Sequence, residues 1–191
     1  MNATAGKIVD GALPLLAEDP ALPMTEIARR LGVGRTTLYR AFPDREGLVE
    51  QVRIEGSRRI VRALALAGSM QGTGLEVLEA CCERLFVLTS ELSLLLSDNP
   101  VITEDDLAEA AAREGLQGRP DPISLAVTRG RQDGSIDPEL PGGWIEALLW
   151  TTVLAGRQFA DDAGSQYKAL GLVLTTMRRS VGRPSHAVIS D

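Results

Sequence analysis

Arg35, Thr36, Thr37, Tyr39 and Arg40 crowd side chains of useful chemistry into six consecutive positions. Arginine can donate two hydrogen bonds to the O6 and N7 of a guanine, threonine offers a hydroxyl and a methyl to thymine, and tyrosine reaches a phosphate oxygen. Val33, Leu38 and Phe42 are spaced to seat this segment as a helix, which would turn the five other side chains outward. The chemistry on offer is recognition of a nucleic acid.

No cluster of catalytic type competes with it. His186 is the single histidine, and no Cys–His pair, serine triad, glycine-rich phosphate loop or metal-ligand set is present. Neither an enzyme nor a bound metal or cofactor is expected. Cys81 and Cys82 are neighbours whose Cα atoms, about 3.8 Å apart, fall below the usual disulfide range, so they are expected as reduced thiols filling a core.

Charge is distributed in support of the same reading. The 191-residue chain has a formal net charge of −6, yet residues 29–62 hold nine arginines against Asp44, Glu46, Glu50 and Glu55. A basic segment on an acidic body suits a local nucleic-acid footprint better than general stickiness. The longest uncharged apolar stretch, from Glu146 to Arg157, is too short to cross a bilayer, and the N-terminus lacks the pattern of an export signal. A cytoplasmic location is the expectation.

The elements that must position these residues read as helices throughout. Aromatic residues make up only 4% of the chain, a palette poor in the residues that favour strands. A first helix runs from Ala3 to Glu18, and Pro14 within it predicts either a kink or a cost offset by packing. Two short amphipathic helices, Met24–Leu31 and Arg35–Ala41, flank a three-residue connection containing Gly32 and Gly34, which is the pattern of a helix-turn-helix. Asp44 is placed to cap a long fourth helix reaching about Ala67. Leu75 to Leu96 keeps a 3-4 spacing and predicts one fifth helix; a sixth runs from Thr103 to Glu114 and a seventh from Asp121 to Asp133. An eighth, Pro141 to about Ala160, is apolar on nearly every side. A ninth, Ser165 to about Val181, sets Tyr167, Leu170, Leu174 and Met177 along one side, with Gly171 permitting close approach.

Glu26 to Leu48 resembles the DNA-binding domain of the tetracycline-repressor (TetR) family, most tellingly in Gly32-Val33, Thr37-Leu38-Tyr39, Phe42 and Arg45-Glu46-x-Leu48. The resemblance in sequence covers about residues 8–50. It implies an all-α, nine-helix TetR-like architecture: a helix-turn-helix domain over 1–48, helix 4 linking to about 67, an effector-binding and dimerisation domain over 68–182, and a tail over 183–191. In proteins it resembles, the positions of Thr37, Tyr39 and Arg45 hold the phosphate backbone, while those of Arg35, Thr36 and Arg40 face base edges or nearby phosphates. Pro14, Pro23 and an N-terminal arm with only Lys7 as a basic residue depart from the family's habit.

The resemblance further implies a double-stranded operator as partner, a homodimer through the eighth and ninth helices, and repression relieved by a small hydrophobic effector. Cys82, Phe86, Thr89, Trp144 and Trp150 are the candidate lining of an effector cavity among helices five to eight. A regulator without a small-molecule ligand and a helical protein-interaction module are the competing readings. Salt-dependent affinity for DNA separates the latter from a regulator.

Overall fold

In the computed structural model, residues 3–183 are described, except the side chain of Ala163. Among them are ten α-helices: α1 (Ala3–Glu18), α2 (Met24–Leu31), α3 (Arg35–Ala41), α4 (Arg45–Gly68), α5 (Gly74–Phe86), α6 (Thr89–Leu96), α7 (Glu104–Arg113), α8 (Pro122–Asp133), α9 (Gly142–Ala163) and α10 (Gln166–Val181). The expected all-α class stands, with one helix more than the nine read from the sequence. The extra helix arises where the expected fifth helix breaks at Val87 and Leu88, whose φ/ψ of −87°/58° leaves the helical region. No glycine or proline marks that break, and the leucine spacing continues across it.

The chain forms two compact units. The first comprises the described part of Met1–Arg62 together with Leu88–Gly118, and the second comprises Ala63–Val87 with the described part of Arg119–Asp191. Residues 88–118, assigned from the sequence to the second domain, thus pack with the N-terminal helices.

Within the first unit, α1 buries Ile8, Val9, Ala12, Leu13 and Leu16. Pro14 lies on its exposed side, and the helix continues through it to Glu18. Solvent can serve the carbonyl that a proline leaves without a helical donor, which lets this position persist. A methyl at Gly11 would stand 2.6 Å from Leu31, so α1 and α2 meet closely there. Gly32, at φ 66°, closes α2 with its N–H turned back to the carbonyls of Ala28 and Arg29. Leu38 and Phe42 seat α3 in the core, Val33 is half-buried beside them, and Asp44 accepts a 2.8 Å hydrogen bond from the Gly47 N–H at the start of α4.

The α6–α7 segment completes this unit. α6 packs on α1, and α7 begins with a reciprocal cap in which Thr103 and Asp106 bind each other's backbone N–H. A methyl at Gly56 of α4 would stand 2.6 Å from Ile102, so the segment lies close against α4.

In the second unit α5 crosses α8 at Gly74 and Gly130, so closely that a side chain at Gly74 would collide with the backbone of Ala126 and Gly130. α9 crosses α10 at Gly156 and Val173. Glu79 accepts two 2.8 Å hydrogen bonds from Arg178, joining α5 to α10. The buried stripe of α10 is Ala169, Val173, Met177 and Val181; Tyr167, expected on that side, is 90% exposed. Although α9 is apolar nearly all round, among its described side chains it buries only Ile145, Leu149, Val153, Gly156 and Ala160 and leaves Trp144 and Phe159 exposed. Gly182 forms an antiparallel bridge with Ile136, and the Arg183 N–H donates to the Ser135 carbonyl. The expected tail is therefore anchored at its first residue; the rest of it, including His186, lies outside the described residues. None of the described helices is long and apolar enough to cross a membrane.

Candidate nucleic-acid interface

α3 presents the residues expected of a reading helix. Its register follows from Leu38, which is fully buried, so that Arg35, Thr36, Tyr39 and Arg40 are exposed and Thr37 is half-buried. Gly34 precedes the helix without a side-chain cap. Arg35 and Arg40 carry no ion pair among the described residues, so both guanidinium groups are available to an acceptor outside the chain. Thr25, Glu26, Ala28, Arg29, Val33 and Arg35 line a surface cleft between α2 and α3.

The remaining arginines of the basic segment are engaged within the protein. Arg29 and Arg30 both donate to Glu26, and Arg30 also donates to Glu18 at 3.2 Å. The hydrogen bonds from Arg29 and then Arg30 hold the Glu26 carboxyl well below its usual range, at about 2. Arg45 turns its guanidinium to the backbone carbonyls of Pro20 and Leu22, tying the start of α4 to the α1–α2 connection. On α4, Arg53 pairs with Glu50 and Asp106, Arg58 with Glu55, Arg59 with Glu55, Glu91 and Asp10, and Arg62 with Glu114. The surplus of positive charge over residues 29–62 is thus largely spent on internal pairs, some with acids of α6 and α7 that lie far away in sequence. Counting charge along the chain could not reveal this.

The five candidate effector residues divide between the units. Cys82 and Phe86 are buried on α5, while Trp150 is half-buried and Trp144 is 60% exposed on α9, all in the second unit. A methyl at Gly156 would stand 3.3 Å from the Phe86 ring, which places Phe86 against α9. Thr89 opens α6 in the first unit and is exposed. Burial pushes the Cys81 and Cys82 thiols up to about 12, as suits unreactive core groups.

Comparisons with known proteins agree with this geometry. A family profile described as bacterial regulatory proteins, tetR family, matches residues 8–52. The chain is 30% identical over 166 residues to a Mycobacterium tuberculosis protein named as an uncharacterized HTH-type transcriptional regulator, covering 83% of this chain and 79% of that one. It is 24% identical over 182 residues to the HTH-type transcriptional repressor LfrR of Mycolicibacterium smegmatis, covering 93% and 90%. The crystal structure of the TetR-like regulator LfrR from Mycobacterium smegmatis in complex with proflavine superposes with a TM-score of 0.65 at 24% identity, over 92% of this chain and 95% of that one.

Proposed function

This chain belongs to the TetR family of bacterial regulatory proteins, and from that premise we propose that it is a repressor that binds a palindromic operator through α3 and is released by a small molecule. The observation that carries the DNA-binding part is the face of α3, where Arg35 and Arg40 stand exposed and unpaired among the described residues beside Thr36 and Tyr39. By the family resemblance, Arg35, Thr36 and Arg40 would face base edges or nearby phosphates, with Thr37 and Tyr39 on the phosphate backbone. Arg45, held by two carbonyls, sets the height of α4 against the α1–α2 connection and acts on DNA through that position. Selection of bound duplexes from a random pool tests the reading and yields the operator. A palindromic consensus with half-sites about 34 Å apart is the expected result; a pool that yields no enriched sequence would refute it.

The operator's symmetry calls for a dimer, and we place its interface on α9 and α10. Both helices leave large apolar side chains exposed, Trp144 and Phe159 on the first and Tyr167 and Leu172 on the second. A side chain at Gly171 would meet nothing within 4 Å. Gly171→Trp should therefore leave the subunit folded and yield a monomer by sedimentation; a normal dimer would move the interface elsewhere.

The effector reading rests on the second unit, where Cys82, Phe86, Trp144 and Trp150 lie, and on the relative whose structure holds proflavine. Thr89 belongs to the first unit. A ligand that prefers one conformation of the second unit can oppose DNA binding only through unequal affinity for the two states. Proflavine is therefore the first compound to titrate with and without operator. A true effector should weaken operator binding by roughly 5- to 150-fold, and operator should weaken its binding equally.

A further inference from the structure

The arginines of α2 and α3 form two groups with different partners. Arg35 and Arg40 are unpaired among the described residues, whereas Arg29 and Arg30 converge on one carboxylate. Arg29 donates to Glu26 through Nε at 2.7 Å and Nη2 at 2.5 Å, and Arg30 donates through Nε at 3.0 Å. Glu26 lies in the same cleft as Thr25, Arg29 and Arg35, so its charge sits beside the first arginine of the reading helix. With two guanidinium groups upon it the carboxylate stays ionised throughout the physiological range.

We propose that Glu26 is a specificity-determining residue of the DNA interface, which engages the guanidinium donors of Arg29 and, together with Glu18, of Arg30, and so withholds them from the phosphate backbone. The inference rests on the DNA-binding reading above. Sequence-blind affinity grows with each phosphate that a cation neutralises, because each contact releases condensed counterions. Base reading gains nothing from such contacts. A carboxylate placed against two arginines lowers that blind term by occupying their donors. Once the Glu26 charge is removed, a phosphate can take its place beside Arg29, and beside Arg30 in competition with Glu18. The arrangement leaves α3, whose two arginines have no ion-pair partner among the described residues, to dominate the choice of site.

The test measures dissociation constants of the full chain for the selected operator and for a duplex of scrambled sequence, over about 50 to about 200 mM salt. It compares the wild type, Glu26→Gln, and Glu26→Gln combined with Arg29→Gln and Arg30→Gln. Glu26→Gln should steepen the salt slope on scrambled duplex by about 1 to 2 and tighten that binding roughly 10-fold per recovered phosphate contact near ~0.1 M salt. The triple variant should lose both gains. An unchanged slope in a folded Glu26→Gln protein, or a gain that survives loss of both arginines, would overturn the proposal. Should Glu26→Gln melt early, Glu26→Ala carries the same expectation and the same refutation. The wild type separates the two levels: failure of the wild type to bind any duplex defeats the DNA-binding reading itself, whereas normal wild-type binding with an unmoved variant slope defeats only the role given to Glu26.

Discussion

The two units are held together by different means. In the first, α4 is fastened to its neighbours by arginines that reach carboxylates on α1, on α6, on α7 and just past the end of α7: Asp10, Glu91, Asp106 and Glu114. In the second, helices touch through glycines, with Gly74 and Gly130 at one crossing and Gly156 at another, and Glu79–Arg178 is the main ionic link. Charge in the first unit therefore has two uses, internal fastening and external attraction, and only position in three dimensions tells them apart. Apolar contact in the second has one use, and a volume change there is felt at once.

Breaking the second unit should produce the largest effect. Gly74→Leu drives a side chain into the backbone of α8 and should cost about 3 kcal/mol or more, enough to leave much of the chain unfolded by thermal or urea denaturation. A variant as stable as the wild type would show that α5 and α8 do not cross this closely. In the first unit, Arg59→Met strands the carboxylate of Glu91, whose side chain is only 6% exposed. Loss of about 2 to 4 kcal/mol is expected, and Glu91→Gln in the same chain should recover part of it, as measured by a double-mutant cycle.

A smaller effect sharpens the comparison from the side of the backbone. Pro14→Ala should stabilise the protein by about 1 to 3 kcal/mol, since the exposed proline gives α1 no packing that alanine would lose. Smaller again is the acid response of the first unit. Burial alone would push Glu55 up, and hydrogen bonds from Arg58 and Arg59 reverse this and hold it below its ordinary 4.5. The stability it contributes is complete above pH 4.5 and is lost as pH falls below that value, so the first unit should lose stability there by an amount that Glu55→Gln abolishes. Identical acid profiles for variant and wild type would contradict the arrangement.

Much of this was legible in the sequence because it is local. The turn at Gly32, the burial of Leu38 and Phe42, the cap at Asp44, and the helix starts at Thr103, Asp121 and Ser165 all depend on neighbours within a few residues. What escaped depends on long-range pairing. The break at Leu88 is hidden because the leucines on its two sides serve different units, and the basic segment gave no sign that Asp106, Glu91 and Glu114 would consume its charge. Arg45 matched a phosphate-binding position in the family pattern, yet its guanidinium is occupied by Pro20 and Leu22, two carbonyls that no side-chain motif records.

The most direct test of the account concerns the two arginines left outside that internal network. Binding of the selected operator should be compared between wild type, Arg35→Ala, Arg40→Ala and Arg45→Ala across salt concentrations. Arg35→Ala and Arg40→Ala should each cost about 1 to 3 kcal/mol on operator and relax base preference, whereas Arg45→Ala should weaken all sequences alike and also lower the melting temperature. Operator preference that survives the loss of both Arg35 and Arg40 would contradict the claim that α3 reads DNA.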